Sequence, residues 1–156
     1  MFVEWNIEDN LTRSLHWRHH CGGKPTYDAW KADGKPSDIL IKLWHAPIHQ
    51  MLVTEKGLIL LSHAGYTPRQ NCLRNLSDDD LLRGRKHFTD PWELGDRKIF
   101  VVHGHTPVEL LPFEADPNKP AFYCEEHKVC IDLGTHRTNN CALLNLDDFS
   151  YKVIHV

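Results

Sequence analysis

Three apolar runs in this 156-residue chain end alike, with an ionisable side chain beside a glycine. They are LILLSHAG with His63, IFVVHGHTP with His103 and His105, and VCIDLG with Asp132. A neutral imidazole is a good ligand for Zn, Mn or Fe, and a carboxylate oxygen suits the same ions. Glycine at a strand end lets backbone approach a ligand closely. His103 and His105 stand two apart, so on a strand they share a face, and both, one or neither could ligate. A lone histidine is more often packed or on the surface; two placed alike at successive strand ends strengthen the case for a metal.

Such residues need strands to present them, and the second half of the chain supplies them. HQMLVTEKGLILLS reads as two β-rich runs split by a turn-like EKG, a hairpin. KIFVVHGHT, VCIDLG, CALLNLD and YKVIHV read as further strands, most of them near-continuously apolar, which implies a sheet covered on both faces. What covers the second face is left open. The stretch PVELLPFEADPNKPAFY reads as an exposed loop with short strand pieces.

The first half reads as helical. Leu11, Leu15 and Trp17 have loosely helical spacing, and YDAWKADG reads as a helix closed by Gly34. In PSDILIKLWHAP, Ser37 is the expected N-cap, with Ile39, Leu40, Leu43 and Trp44 as an apolar stripe ended by Pro47. SDDDLLRGRKHF has a capping serine, acids in its first turn and bases later, which predicts one helix carrying Arg85. The expected class is α+β: one mixed, mostly β sheet of about five to six strands flanked by roughly two to four short helices. It forms a single domain, with a helical segment over about 1–47 and a β-rich part over about 48–156.

Composition narrows the function classes. A net charge of −3 offers no basic excess for nucleic acid. The longest apolar runs are strand-length, short of a membrane span. MFVEWNIEDN lacks the order of a signal peptide. Five cysteines with no CxxC pair fit free thiols in a reducing cytoplasm. Among the 12 histidines, His16, His19 and His20 in SLHWRHHCGG read as a solvated or packed segment.

Taken in order, LLSHAGYTP, DDLLRGRKHF, IFVVHGHTPV and VCIDLG followed by CALLNLD resemble the C-terminal half of a serine/threonine protein phosphatase. This is the phosphoprotein-phosphatase branch of the calcineurin-like metallophosphoesterases. The likeness spans roughly residues 20–156, with CGGKPTYDAW resembling the stretch that opens that half. It implies His63 and His105 as metal ligands and Arg85 as an arginine that grips the substrate phosphate. The family's aromatic two residues before that arginine is Arg83 here. Where other branches carry GHxH and use both histidines, this chain has Pro107, which cannot ligate. The resemblance therefore makes His103 a packing residue at the rim of the site.

The family builds its metal pair (Mn, Fe or Zn) mainly from DxH, GDxxDRG and GNHE motifs, and none of these occurs in the 156 residues. The resemblance thus implies a phosphate-ester hydrolase that is inactive as this chain alone, holding at most one metal weakly. It also implies an exposed sheet face, covered by a second copy or by a separately made N-terminal half. A phosphorylated protein or a small phosphoester would be the substrate of the completed site. Two alternatives stand beside it: a non-catalytic interaction module derived from that fold, and an unrelated metal-binding protein using His63, His105 and Cys124 or Cys130.

Overall fold

The near-continuous apolar runs become the inner strands of a mixed sheet. The structure is a computed structural model and describes residues 11–20, 23–67, 77–111, 122–125 and 127–156. The chain divides into two compact units, residues 1–47 and 48–156.

The first unit holds helices α1 (Leu11–His20), α2 (Lys24–Ala32) and α3 (Ser37–Trp44). Pro25 sits in the first turn of α2, where its missing N–H costs nothing. The helix closes as its sequence predicts: Gly34 takes φ +77°, and Lys35 N donates back to Trp30 O at 2.9 Å. Ser37 is the first helical residue of α3 and does not cap it; the preceding Pro36 holds the cap position, with no side-chain bond. Of the predicted stripe only Leu40 is buried, while Ile39, Leu43 and Trp44 are exposed. His16, His19 and His20 are exposed on α1.

In the second unit, β1 (His49–Thr54) and β2 (Gly57–Ser62) form the expected hairpin, in antiparallel register from Thr54↔Gly57 to His49↔Ser62. Gly57 is required at its turn. It takes φ +137°, and a Cβ there would fall 2.1 Å from the carbonyl of Lys98. With β3 (Ile99–His103), β4 (Phe122–Glu125) and β5 (Lys128–Cys130) the hairpin builds a sheet of order β1-β2-β3-β5-β4. The three inner strands are mutually parallel, and both edges are antiparallel.

The class is α+β, as expected, but the strands divide between two sheets. β6 (Asn140–Leu144) and β7 (Tyr151–His155) pair only with each other. After β5 the chain passes through the four-residue helix α5 (Thr135–Thr138), flanked by Gly134 and Asn139 in left-handed conformations. These two left-handed residues turn the chain away from β5 before β6 begins. Of the PVELLPF stretch, Val108–Leu110 forms one 3₁₀ turn, residues 112–121 lie outside the described residues, and β4 takes up its end.

Strand alternation sorts the core into two faces. Leu60 and Val101 pack with Tyr66 and Leu81 on one side. Ile59, Val102 and Val129 face the other, where Leu144, Leu146 and Phe149 of the β6–β7 hairpin cover them. This corrects the expectation of a bare sheet face: the hairpin supplies the second layer. Exposed apolar side chains remain at the margins, with Met51 and Val53 on β1 and Leu143 and Val153 on the hairpin. Among the described residues no helix is long and apolar enough to cross a membrane.

Phe149 packs edge-on to Phe100 at 5.0 Å between ring centroids. Phe149→Ala should therefore cost about 2–3 kcal/mol in urea unfolding, below the full-burial range because the ring is half-buried. Val53→Ala, on a residue 87% exposed, should stay within about 0.5 kcal/mol of the parent. Equal losses at the two sites would overturn the assignment of the hairpin as the covering layer.

Candidate functional site

Because β2, β3 and β5 run the same way, their C-terminal ends open into neighbouring loops. His63 follows β2, His105 lies just beyond β3, and Asp132 just beyond β5. Backbone bonds tie the loops together: Gly104 N donates to His63 O at 3.0 Å, Ile131 N to His103 O at 2.9 Å and Val108 N to Asp132 O at 2.9 Å. The two predicted ligands meet, with His63 Nε2 at 3.1 Å from His105 Nδ1. His63 is exposed and His105 half-buried. Asp132 Oδ1 accepts from Gly134 N at 2.8 Å, and Oδ2 lies 3.7 Å from where a Cβ on Gly104 would sit. The carboxylate thus stands beside the histidine loops.

His105 takes φ +69°, a left-handed conformation uncommon for any residue with a Cβ. Burial first, then the charges of His63 and Arg85, lower its pKa, with Asp132 opposing. The shift favours the neutral form, which is the form that can ligate.

Arg85 is exposed and does not sit on a helix as predicted. α4 (Asp78–Arg83) is capped by Ser77, whose Oγ accepts from Asp80 N at 3.1 Å, but it stops at Gly84. A Cβ on Gly84 would fall 2.5 Å from Asp80 O and 2.8 Å from Gly65 O. Only glycine fits there, and its extended backbone divides the expected single helix into α4 and a 3₁₀ turn, Lys86–Phe88, with Arg85 at the joint. Arg83 is held by Asp79 at 3.0 Å. Among the described residues the Arg85 side chain makes no hydrogen bond or ion pair, and its charge acts on His105. Compared with known proteins, the chain matches no family model and no curated sequence.

His103 lies in the core, at 2% exposure. Its Nε2 is 2.8 Å from Nε2 of His87, itself 1% exposed. Burial pushes the His103 imidazole down to about 4 from an ordinary 6.5, partly opposed by its bond to Gly104. Burial, then His103 and Lys128, pushes His87 down to about 2. Sequence reasoning missed His87, which lies past a helix break that local pattern does not show. It also missed Lys128, fully buried and donating to the carbonyls of His87 and Asp90. A signal for Lys128 was available: it shares a strand face with Cys130 in a sheet expected to be covered on both sides.

Cys130 is buried, and its Sγ donates to Thr106 O at 3.3 Å. The Cys124 side chain lies outside the described residues. Among the described residues no group of three or more His, Cys, Asp or Glu side chains is gathered as a metal site.

Well above pH 6.5 the rings of His87 and His103 are neutral in the folded and the unfolded chain. As pH falls below 6.5 the unfolded chain takes up protons that the folded rings refuse, so stability falls with pH. His103 alone should cost roughly 3 kcal/mol by about pH 4. Urea unfolding at neutral and mildly acidic pH measures this; unchanged stability would mean that the rings are not held neutral. At position 105, Gly accepts the left-handed backbone and should lie within about 0.5 kcal/mol of the parent. His105→Val should lose about 2 kcal/mol, and the same unfolding measurement separates them.

Proposed function

We propose that the loops at the ends of β2, β3 and β5 form the ligand- and phosphate-facing wall of a metallophosphoesterase of the serine/threonine protein phosphatase type. The observation that carries this reading is the convergence of His63 and His105, with ring nitrogens 3.1 Å apart at the ends of two parallel strands. Two nitrogens bound at about 2.0–2.1 Å to one tetrahedral ion stand roughly 3.3 Å apart, so the rings need little movement to share a cation. In the metal-free protein one nitrogen must donate a proton to the other. A divalent ion would take that proton's place.

Mn, Fe and Zn all suit two imidazoles with carboxylate oxygen nearby. Arg85 would offer a planar fork to phosphate oxygens, and among the described residues nothing pairs with its guanidinium. When bound, a metal pair would supply a hydroxide for in-line attack on phosphorus. The donors fit one ion better than two, since a pair needs bridging carboxylate and the sequence has no DxH, GDxxDRG or GNHE motif. On this reading the chain alone binds an ion weakly and hydrolyses nothing. A partner that carries the remaining ligands, seated on the exposed apolar margins, would complete it for a phosphorylated protein or a small phosphoester in the cytoplasm.

Zn²⁺ or Mn²⁺ titration, followed through the histidine ring signals, should move His63 and His105 before any other histidine. His63→Ala and His105→Ala should each weaken the ion at least about tenfold. Arg85→Ala should spare the ion and weaken inorganic phosphate on the loaded protein by about tenfold. An absence of ion binding at millimolar concentration would sink the proposal and favour a non-catalytic interaction module. Turnover of a generic phosphomonoester by the chain alone would overturn its incompleteness.

A further inference from the structure

His87 touches the segments that carry His63 and His105 and lies on the turn that carries Arg85. Its ring lies against the backbone of Gly65, two residues past His63, where a Cβ would fall 2.0 Å from the ring's Cε1. Its Nε2 is 2.8 Å from Nε2 of His103, two residues before His105. It also stands two residues after Arg85, on a turn anchored from below by the Lys128 ammonium.

The partners dictate where the protons sit. His103 Nδ1 is 2.9 Å from the carbonyl oxygen of Gly104. A carbonyl only accepts, so Nδ1 carries the proton. The neutral ring then has a bare Nε2, which accepts, and His87 must donate from its own Nε2. That leaves His87 Nδ1 bare, and it is the nitrogen that is buried without a partner among the described residues. Gly104 continues the link: its carbonyl, joined covalently to His105, also accepts from Thr106 N at 2.8 Å, and its N–H, in the preceding peptide, donates to His63 O at 3.0 Å. The bonds donated by His87 and His103 end at that carbonyl, and the covalent backbone of Gly104 joins them to His105 on one side and to the His63 loop on the other.

We propose that His87 is the positioning residue of this site: through His103 and the Gly104 peptide it holds the His63 and His105 rings at chelating distance, and through its own turn it places Arg85. The proposal rests on the reading of His63 and His105 as ligands, and its test separates the two. Long-range ¹H–¹⁵N spectra of the metal-free protein at neutral pH should show Nδ1–H on His103 and Nε2–H on His87. His87→Leu fills the space without a donor, whereas His87→Gln keeps an N–H in its place. With folding checked by urea denaturation, His87→Leu should shift the metal-free ring signals of His63 and His105. It should also weaken Zn²⁺ roughly ten- to a hundredfold, and His87→Gln should recover to within about threefold of the parent.

Opposite tautomers, unmoved His63 and His105 signals in a folded His87→Leu protein, or no recovery in His87→Gln would each overturn the proposal. If His87→Leu does not fold, the native tautomers and the His87→Gln comparison decide it. A native protein that binds no Zn²⁺ sinks the ligand reading, and the positioning role is then judged on the metal-free signals.

Discussion

Parallel pairing of β2, β3 and β5 is the constraint from which the rest of the second unit follows. Parallel neighbours cannot be joined by a tight turn, so the chain must cross back over the sheet between them. One crossover leaves β2 at His63 and returns at Ile99; the other leaves β3 at His105 and returns through β4 to Lys128. Both leave from the same end of the ladder, and side chains far apart in sequence therefore gather there. The same pairing demands cover on both faces. The first crossover covers one with Tyr66 and Leu81, and the β6–β7 hairpin covers the other with Leu144, Leu146 and Phe149. Structure and candidate chemistry thus share one cause.

The groups gathered at the strand ends carry charges of both signs. Arg83, Arg85 and Asp132 all act on His105, which lies beside His63. Arg83 is already matched by Asp79, which leaves Arg85 as the exposed positive group and Asp132 as the nearby carboxylate. Two imidazoles with a carboxylate beside them are donors a cation can use, and the arginine at the margin presents the opposite sign to an anion.

Much of this was legible in local pattern. The apolar runs marked β2 and β3 and much of β5 to β7, Gly34 marked the end of α2, and Ser77 marked the start of α4. His63 and His105 stood out because apolar runs led into glycine beside them. What escaped were features set by contacts distant in sequence. Gly84 ends its helix in an extended conformation, at a place where the carbonyls of Asp80 and Gly65 leave no room for a side chain, and DDLLRGRKHF by itself keeps a helical charge order. The strands fall into two sheets because two left-handed residues around α5 redirect the chain, a choice that Gly and Asn permit without announcing. His103 proved to be core, yet its partner His87 could be found only once the turn had folded under the sheet.

Lys128 shows what a buried cation can do for a fold apart from any chemistry. Its strand is three residues long, and such a short strand of Val and Cys could slide along β3 with little loss. A slip of one residue turns every side chain over. It would drive the ammonium in among Ile59, Val102 and Phe149, which offer no side-chain acceptor, and pull it from the carbonyls of His87 and Asp90. Only the alignment Val101↔Lys128 satisfies it. The lysine works as a spelling check on β5, admitting one reading frame of the strand and making its neighbours intolerable.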